Sequence, residues 1–295
     1  MTTAAFSHRG RPGRALTAGL SAVLFFSFPA WAFSPSAVPA STKAPGVDLQ
    51  SFLDRAADYC DKLSRSALHF ICREQIEEWF YPDYGRTTNW DESLTFVGIR
   101  KTFRYLYDYQ LLRAPDGAIR ENRTLLKDEG RDVRQTDAPL KTHFFTYAYV
   151  VMGPIGLLSR GHQADHDYRI VREEKVDGKP AVVIEAVPEP GTRLDHLTGT
   201  VWLRISDAGI LKIEWNPSSI QNYQGVEEMA RSLHLTPSLL MTSEYAFEKN
   251  GIRFPSRYAI QEIYSRPFRQ RFLRSQTEVV YDRYQFFTVE TEVKF

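Results

Sequence analysis

The chain has 295 residues, of which 37 are basic, 36 are acidic and only two are cysteine. The near balance of charge excludes the strongly basic surface that nucleic-acid binding requires. The length allows one large β-rich domain or two small ones, and two thiolates alone are too few for a structural zinc site.

The first 32 residues have the three parts of a secretory signal peptide, in order. Three arginines precede an apolar run over residues 15–28, and Ala30-Trp31-Ala32 fits the small-residue cleavage site. The apolar run is well short of the roughly 20 residues that a helix needs to cross a bilayer. We therefore predict that residues 1–32 are removed and that the protein works in the periplasm or is secreted.

The remaining sequence divides into a short leader and one domain. Residues 33–46 are rich in Pro, Ser and Ala, which is typical of a flexible lead-in. Residues 47–295 show neither internal repeats nor a composition shift, so they are predicted to form a single β-rich domain. Cleavage would remove three arginines and no acid, which leaves 34 basic and 36 acidic residues.

The domain is predicted to open with a helix and a strand that both carry a cysteine on the apolar face. Apolar residues recur at helical spacing over residues 47–63, with Asp48 as the N-cap. From Ser66 onward the period is two, and Cys72 lies on the apolar face of that strand as Cys60 does on that of the helix. A pair of cysteines in an oxidising compartment favours a disulfide, so we expect a Cys60–Cys72 bond that pins the helix to the first strand.

The rest of the domain alternates in polarity and is divided by turn signals. Pro115-Asp116-Gly117, Asp177-Gly178 and Asn250-Gly251 are typical hairpin turns. Residues 144–159 and 224–235 interrupt the pattern, and Pro154 is placed to open a short helix. The main predicted strands span residues 103–111, 119–128, 168–176, 181–187, 199–206, 210–215, 241–248, 252–264, 272–284 and 286–295.

Together these elements predict a mainly β fold with some α structure. Successive hairpins indicate a meander, and a meander this long tends to curl. We expect a single curled antiparallel sheet, a half-barrel of about ten or eleven strands, with the N-terminal helix packed on its concave side.

This pattern resembles the periplasmic half-barrel class of outer-membrane lipoprotein-sorting proteins, the lipoprotein carriers. The residues that carry the resemblance are 52–59 (FLDRAADY), 68–74 (LHFICRE) and 284–293 (YQFFTVETEV). The resemblance implies the half-barrel fold and an apolar concavity that holds acyl chains. The chain is longer than the short carriers, and the resemblance transfers no binding residue one for one.

The concave face is the predicted binding site for an apolar ligand, either a lipid or the acyl chain of a lipoprotein. Plain core positions are the alternative for each candidate, because large rings can fill an interior as well as line a cavity. Neither a cofactor nor an enzymatic activity is expected, since the chain has no nucleophile-elbow, Walker or dinucleotide-binding motif. The candidate lining residues are Phe103, Tyr105, Tyr107, Leu203, Trp215 and Tyr258.

A periplasmic metalloenzyme is the first alternative function. His162 and His166 have the spacing of two metal ligands on a helix, with Asp165 or Asp167 as a third. The segment leads directly into a predicted strand, however, which favours a polar loop. Asp195-His196 would complete a site only if the fold brought it close.

Other charged clusters have simpler interpretations. The acidic cluster Glu74, Glu77 and Glu78 could pair carboxylates for catalysis, but the solvated face of the first strand is favoured. A basic group near Pro267 could meet anionic lipid headgroups in a peripheral membrane contact, although an exposed connection is favoured. It consists of Arg266, Arg269, Arg271 and Arg274.

An outer-membrane β-barrel is the last alternative. The chain ends on an alternating strand with a terminal aromatic, Phe295, as such barrels often do. The opening helix, the two inward cysteines and the helical insertions favour the half-barrel instead.

Overall fold

The computed structural model describes residues 48–82, 99–189, 197–217, 223–265 and 271–287. All of them lie in one compact unit, Ser41–Phe295. The predicted signal peptide, residues 1–32, and the predicted lead-in, residues 33–46, lie outside the described residues.

Helix α1 (Leu49–Ser66) opens the described chain, close to its predicted position. The side chain of Asp48 accepts a hydrogen bond from the backbone N–H of Ser51 at 3.1 Å, which confirms the predicted N-cap. One face of the helix is buried, and it comprises Phe52, Leu53, Ala56, Ala57, Tyr59, Cys60 and Leu63.

Thirteen strands, three α-helices and a single 3-10 turn (Val150–Met152) follow in the described residues. The helices are α2 (Gly153–Leu158), α3 (Arg160–Gln163) and α4 (Tyr223–Leu233), and Pro154 lies in the first turn of α2 as predicted. The strands are β1 (Phe70–Phe80), β2 (Lys101–Arg113), β3 (Ile119–Asp128), β4 (Arg131–Gln135), β5 (His166–Val176), β6 (Lys179–Pro188), β7 (Gly199–Arg204), β8 (Ile210–Trp215), β9 (Thr236–Glu244), β10 (Phe247–Lys249), β11 (Ile252–Phe254), β12 (Arg257–Ser265) and β13 (Arg271–Phe286).

Eleven of these strands form one open antiparallel sheet, which confirms the predicted half-barrel architecture. Their order is β4-β3-β2-β1-β13-β12-β9-β8-β7-β6-β5, and β10 and β11 form a separate two-stranded ribbon. The sheet is not a simple meander, because the first strand pairs with the last, with Glu74 opposite Tyr281. Residues 136–165 therefore carry the chain from the edge strand β4 to the opposite edge strand β5.

The hairpin predicted at Asn250-Gly251 differs from the structure. Asn250 and Gly251 form the tight turn, with φ of 53° and 72°, but they close only the ribbon of β10 and β11. The long strands on either side, β9 and β12, pair directly with each other, with Met241 opposite Ile260. The predicted last strand, residues 286–295, lies outside the described residues beyond Phe287.

The core lies on the inward face of the sheet, where α1 and α2 cover it. Residues of α1, α2 and every strand except the exposed β4 belong to or pack against one apolar cluster. The hydroxyl of Tyr59 in α1 donates to the carbonyl of Arg253 and accepts from its N–H, both at 2.8 Å, which joins α1 to β11. A small second cluster around Trp202 lies on the outward face of β6 to β8.

The two cysteines are buried, as predicted, but the predicted disulfide between them is absent, and both thiols are free. Cys60 Sγ lies 3.6 Å from the carbonyl oxygen of Pro154 in α2. Cys72 instead contacts the side chain of Tyr284 near the end of β13. Burial on the inward side does not by itself pair two cysteines, and the disulfide prediction did not account for this.

Burial raises the pKa of both thiols well above the usual range. The reactive species is the thiolate, so we expect no iodoacetamide labelling of the folded protein at mildly alkaline pH. After unfolding in guanidinium both cysteines should be labelled without a reductant, as counted by mass spectrometry. Labelling that requires prior reduction would instead support a Cys60–Cys72 disulfide.

Candidate functional site

An irregular segment crosses the inward face of the half-barrel. Residues 138–149, here called the strap, have neither helix nor strand and follow β4. The strap begins at β3, where the N–H of Ala138 donates to the carbonyl of Arg123 at 2.9 Å. It reaches β12, where the ring of Tyr147 lies 5.3 Å from that of Tyr258. The strap therefore spans the middle of the sheet on the side where the ligand was predicted.

Five of the six candidate lining residues are buried, and Phe103 is half-buried. Four of the six contact the strap: Phe103, Tyr105, Tyr107 and Tyr258. The imidazole of His143 stacks on Phe103 with 3.7 Å between ring centroids. The hydroxyl of Tyr107 accepts a hydrogen bond from the N–H of Lys141 at 3.2 Å, and the ammonium of Lys141 lies 5.7 Å from the ring of Tyr105. The surface predicted to hold a ligand is thus covered by the chain itself.

The other two candidates lie away from the strap. Trp215 donates from Nε1 to the hydroxyl of Ser243 at 2.7 Å, and its ring packs against Gly153 in α2. A Cβ at Gly153 would lie only 2.9 Å from that ring, so the close approach of α2 requires glycine there. Leu203 is fully buried in the sheet core. Contact of any of the six with a ligand stays a prediction.

Glu78 of β1 holds the strap at one point through three hydrogen bonds. Its carboxylate accepts from the backbone N–H of His143 at 2.6 Å and from that of Phe144 at 3.2 Å. His143 Nδ1 lies 2.9 Å from the same carboxylate, within hydrogen-bonding distance. Thr277 of β13 adds a further donor at 2.9 Å.

Glu74 forms a buried ion pair beneath the strap. Arg123 of β3 donates to its carboxylate from Nε at 2.6 Å and from Nη2 at 3.1 Å. The hydroxyls of Tyr147 and Tyr281 each donate to it at 3.1 Å. Burial raises the pKa of both tyrosines well above the usual value, so they remain neutral donors.

The expectation that the acidic cluster of β1 lies on the solvated face is wrong for Glu74 and Glu78. Both are completely buried, because they share the inward face with Phe70, Cys72 and Ile76. Only Glu77 faces outward, where Arg104 binds it at 2.8 Å. Glu74 and Glu78 alternate with the apolar residues of β1 at a period of two, and this pattern could have indicated that they face inward. It could not indicate their partners, which come from β3, β13 and the strap.

A third buried carboxylate, Glu262 of β12, lies near the end of the sheet where β1 ends at Phe80. It accepts from Nη1 of Arg274 at 2.9 and 3.0 Å and from the hydroxyl of Ser275 at 2.6 Å. Because Arg274 is mostly buried in this pair, it does not belong to an exposed basic patch. Arg271 is exposed, and Arg266 and Arg269 lie outside the described residues.

Three half-buried phenylalanines and the exposed imidazole of His143 mark this end of the inward face. We call Phe80, Phe103, His143 and Phe144 the rim cluster. The rings of Phe80 and Phe144 meet edge to face at 4.5 Å, and Phe80 and Phe103 stack at 6.1 Å. Phe103 and Phe144 also pack against the main core, so the rim cluster joins the buried interior to the surface.

The predicted metal-site histidines do not lie on one helix. His162 lies in α3, whereas His166 is the first residue of β5. The ring nitrogens of His166 contact the carbonyl oxygens of His162 and Leu197 at 2.8 and 2.7 Å. No group of three or more potential metal ligands occurs in the part of the chain that the structure describes, and Asp195-His196 lies outside it.

A groove of about 540 Å³ lies on the outward face over β13, β1, β2 and the β3–β4 turn. Its walls carry both charge signs, including Glu77, Arg104, Lys127 and Glu278. Of the six candidate lining residues, only Tyr105 contributes to it. This groove is therefore separate from the predicted inward site.

No described helix is both long enough and apolar enough to cross a membrane. No family model matches the chain. No curated protein matches it significantly.

Several solved structures are similar in fold. A LolA superfamily protein from Nitrosomonas europaea is 14% identical over 84% of this chain and 97% of its own, with a TM-score of 0.34. A DUF1329 family protein from Desulfovibrio piger is 12% identical over 82% and 95%, with a TM-score of 0.37. A putative outer membrane lipoprotein-sorting protein domain from Vibrio parahaemolyticus is 11% identical over 81% and 95%, with a TM-score of 0.35.

Proposed function

We propose that this protein is exported and binds an apolar ligand on the inward face of its half-barrel, as a carrier or chaperone rather than as an enzyme. The ligand class is a lipid or the acyl chain of a lipoprotein. The signal-peptide pattern of residues 1–32 supports export.

The rim cluster is the observation that carries this proposal. Phe80, Phe103 and Phe144 are half-buried, and they continue the apolar interior to one end of the sheet. Binding sites for apolar molecules are typically concave and lined by aromatic side chains with a few placed polar groups. An entrance for an acyl chain requires partly exposed apolar side chains that lead to a covered apolar face. The three phenylalanines of the rim cluster have this arrangement.

The direct test is to purify the protein from the periplasm without detergent and to analyse an organic extract by mass spectrometry. We expect a stoichiometric lipid, and a mature chain that begins at Phe33. A folded protein that yields an empty extract and binds no hydrophobic probe would contradict the proposal.

The rim cluster also predicts the effect of a charge at the entrance. Phe103→Asp should weaken binding of the fluorescent probe 1-N-phenylnaphthylamine at least about tenfold, because an acyl-like ligand would have to desolvate the carboxylate. Val187→Asp is the matched control, since Val187 is 46% exposed on the outward face. Equal loss of binding in both variants would place the entrance elsewhere, and circular dichroism would verify that both are folded.

A further inference from the structure

The strap covers four of the six candidate lining residues, so the ligand and the strap compete for one surface. We infer that the ligand takes the place of the strap and is an amphiphile whose head carries hydrogen-bond donors, such as the amide N–H groups of an acylated peptide or an alkyl ammonium. This inference rests on the proposed function and names the substrate class of the same site.

The donors that the strap supplies define what a replacement must offer. Glu78 receives the backbone N–H groups of His143 and Phe144, and the imidazole Nδ1 of His143 lies 2.9 Å from it. Glu121 receives the N–H of Tyr149 at 2.7 Å. If the strap leaves, Glu78 keeps Thr277 as its remaining donor within the described residues. A buried carboxylate without donors is strongly unfavourable, so the ligand must supply them.

The charge of this surface favours the same class of head group. Four carboxylates face inward here, namely Glu74, Glu78, Glu121 and Glu262, against the two guanidinium groups of Arg123 and Arg274. Both arginines are already bound to carboxylates. A fatty-acid carboxylate would therefore add like charge beside Glu78, whereas an amide or an ammonium would not.

The apolar part of the strap matches an acyl chain. Phe145 and Tyr147 are buried, and Phe144 is half-buried against the core. Aromatic side chains bury roughly 150–250 Å² each. A long alkyl chain can cover a comparable area, so it can replace these rings while its head meets Glu78.

The test compares three compounds of equal chain length as competitors of 1-N-phenylnaphthylamine: dodecylamine, N-dodecanoylglycinamide and dodecanoate. We expect the first two to bind the wild-type protein at least about tenfold more tightly than dodecanoate. Glu78→Gln should abolish most of this preference, because the amide side chain accepts fewer donors and carries no charge. Glu77→Gln is the matched control, since it removes the same charge from the outward face of the same strand.

Hydrogen exchange gives a second readout that needs no variant. Dodecylamine should speed exchange of the His143 and Phe144 amides at least about tenfold, while amides of β6 stay protected. Binding that leaves those strap amides protected, or a preference that survives Glu78→Gln, would overturn the inference and leave the proposed function standing. If neither the probe nor any competitor binds, the proposed function fails and the inference fails with it.

Discussion

Replacing Arg123 by methionine is expected to lower the free energy of unfolding by about 3–5 kcal/mol. Arg123 is the cation that neutralises Glu74, and both side chains are buried, with exposed fractions of 6% and 0%. The variant would leave the carboxylate in the core with two tyrosine hydroxyls as its remaining described donors. Urea unfolding followed by circular dichroism measures the loss.

The control for this prediction is the ion pair on the opposite face of β1. Arg104 binds Glu77 at 2.8 Å, but the two side chains are 65% and 44% exposed. Arg104→Met should therefore cost less than about 1 kcal/mol. Adding Glu74→Gln to Arg123→Met should recover part of the stability, because no buried charge is then left unpaired. Similar losses for the two single arginine variants would contradict the buried-pair assignment.

Replacing Trp215 by alanine is the second change with a large expected effect. Trp215 packs against Gly153 of α2 and donates to Ser243, so truncation opens a cavity under the helix. We expect the free energy of unfolding to fall by about 3–5 kcal/mol.

Trp215→Phe serves as the conservative control, because it keeps most of the ring and loses the hydrogen bond to Ser243. A much smaller loss than for alanine is expected, since most of the packing is kept. If alanine instead costs little stability and weakens probe binding, then Trp215 lines a ligand cavity and is not a core residue. The same pair of measurements therefore decides between the two interpretations of this candidate.

Much of the fold could be predicted because its signals are local. The third strand matches its predicted bounds of residues 119–128, since the preceding Pro-Asp-Gly turn and the period of two depend only on neighbouring residues. The cap at Asp48 and the opening of α2 at Pro154 are local in the same sense.

The candidate site was predicted only in part. Period two correctly placed Tyr105, Tyr107 and Tyr258 among the buried inward residues. The strap has no periodic pattern, so its course across the sheet could not be read from residues 138–149. The roles of Glu74 and Glu78 also depend on donors that lie between 49 and 207 positions away along the chain.

The sequence by itself determined the first helix, the tight turns and the alternation of buried and exposed positions along strands such as β2, because these follow from the spacing of apolar residues and from turn chemistry. Only the tertiary structure decided that β1 pairs with β13, that the strap covers the inward site and that Cys60 and Cys72 are free thiols with different contacts. These features are contacts between segments distant in the chain. They depend on how side chains from the whole core fit together. The spacing of residues within one segment does not contain that information.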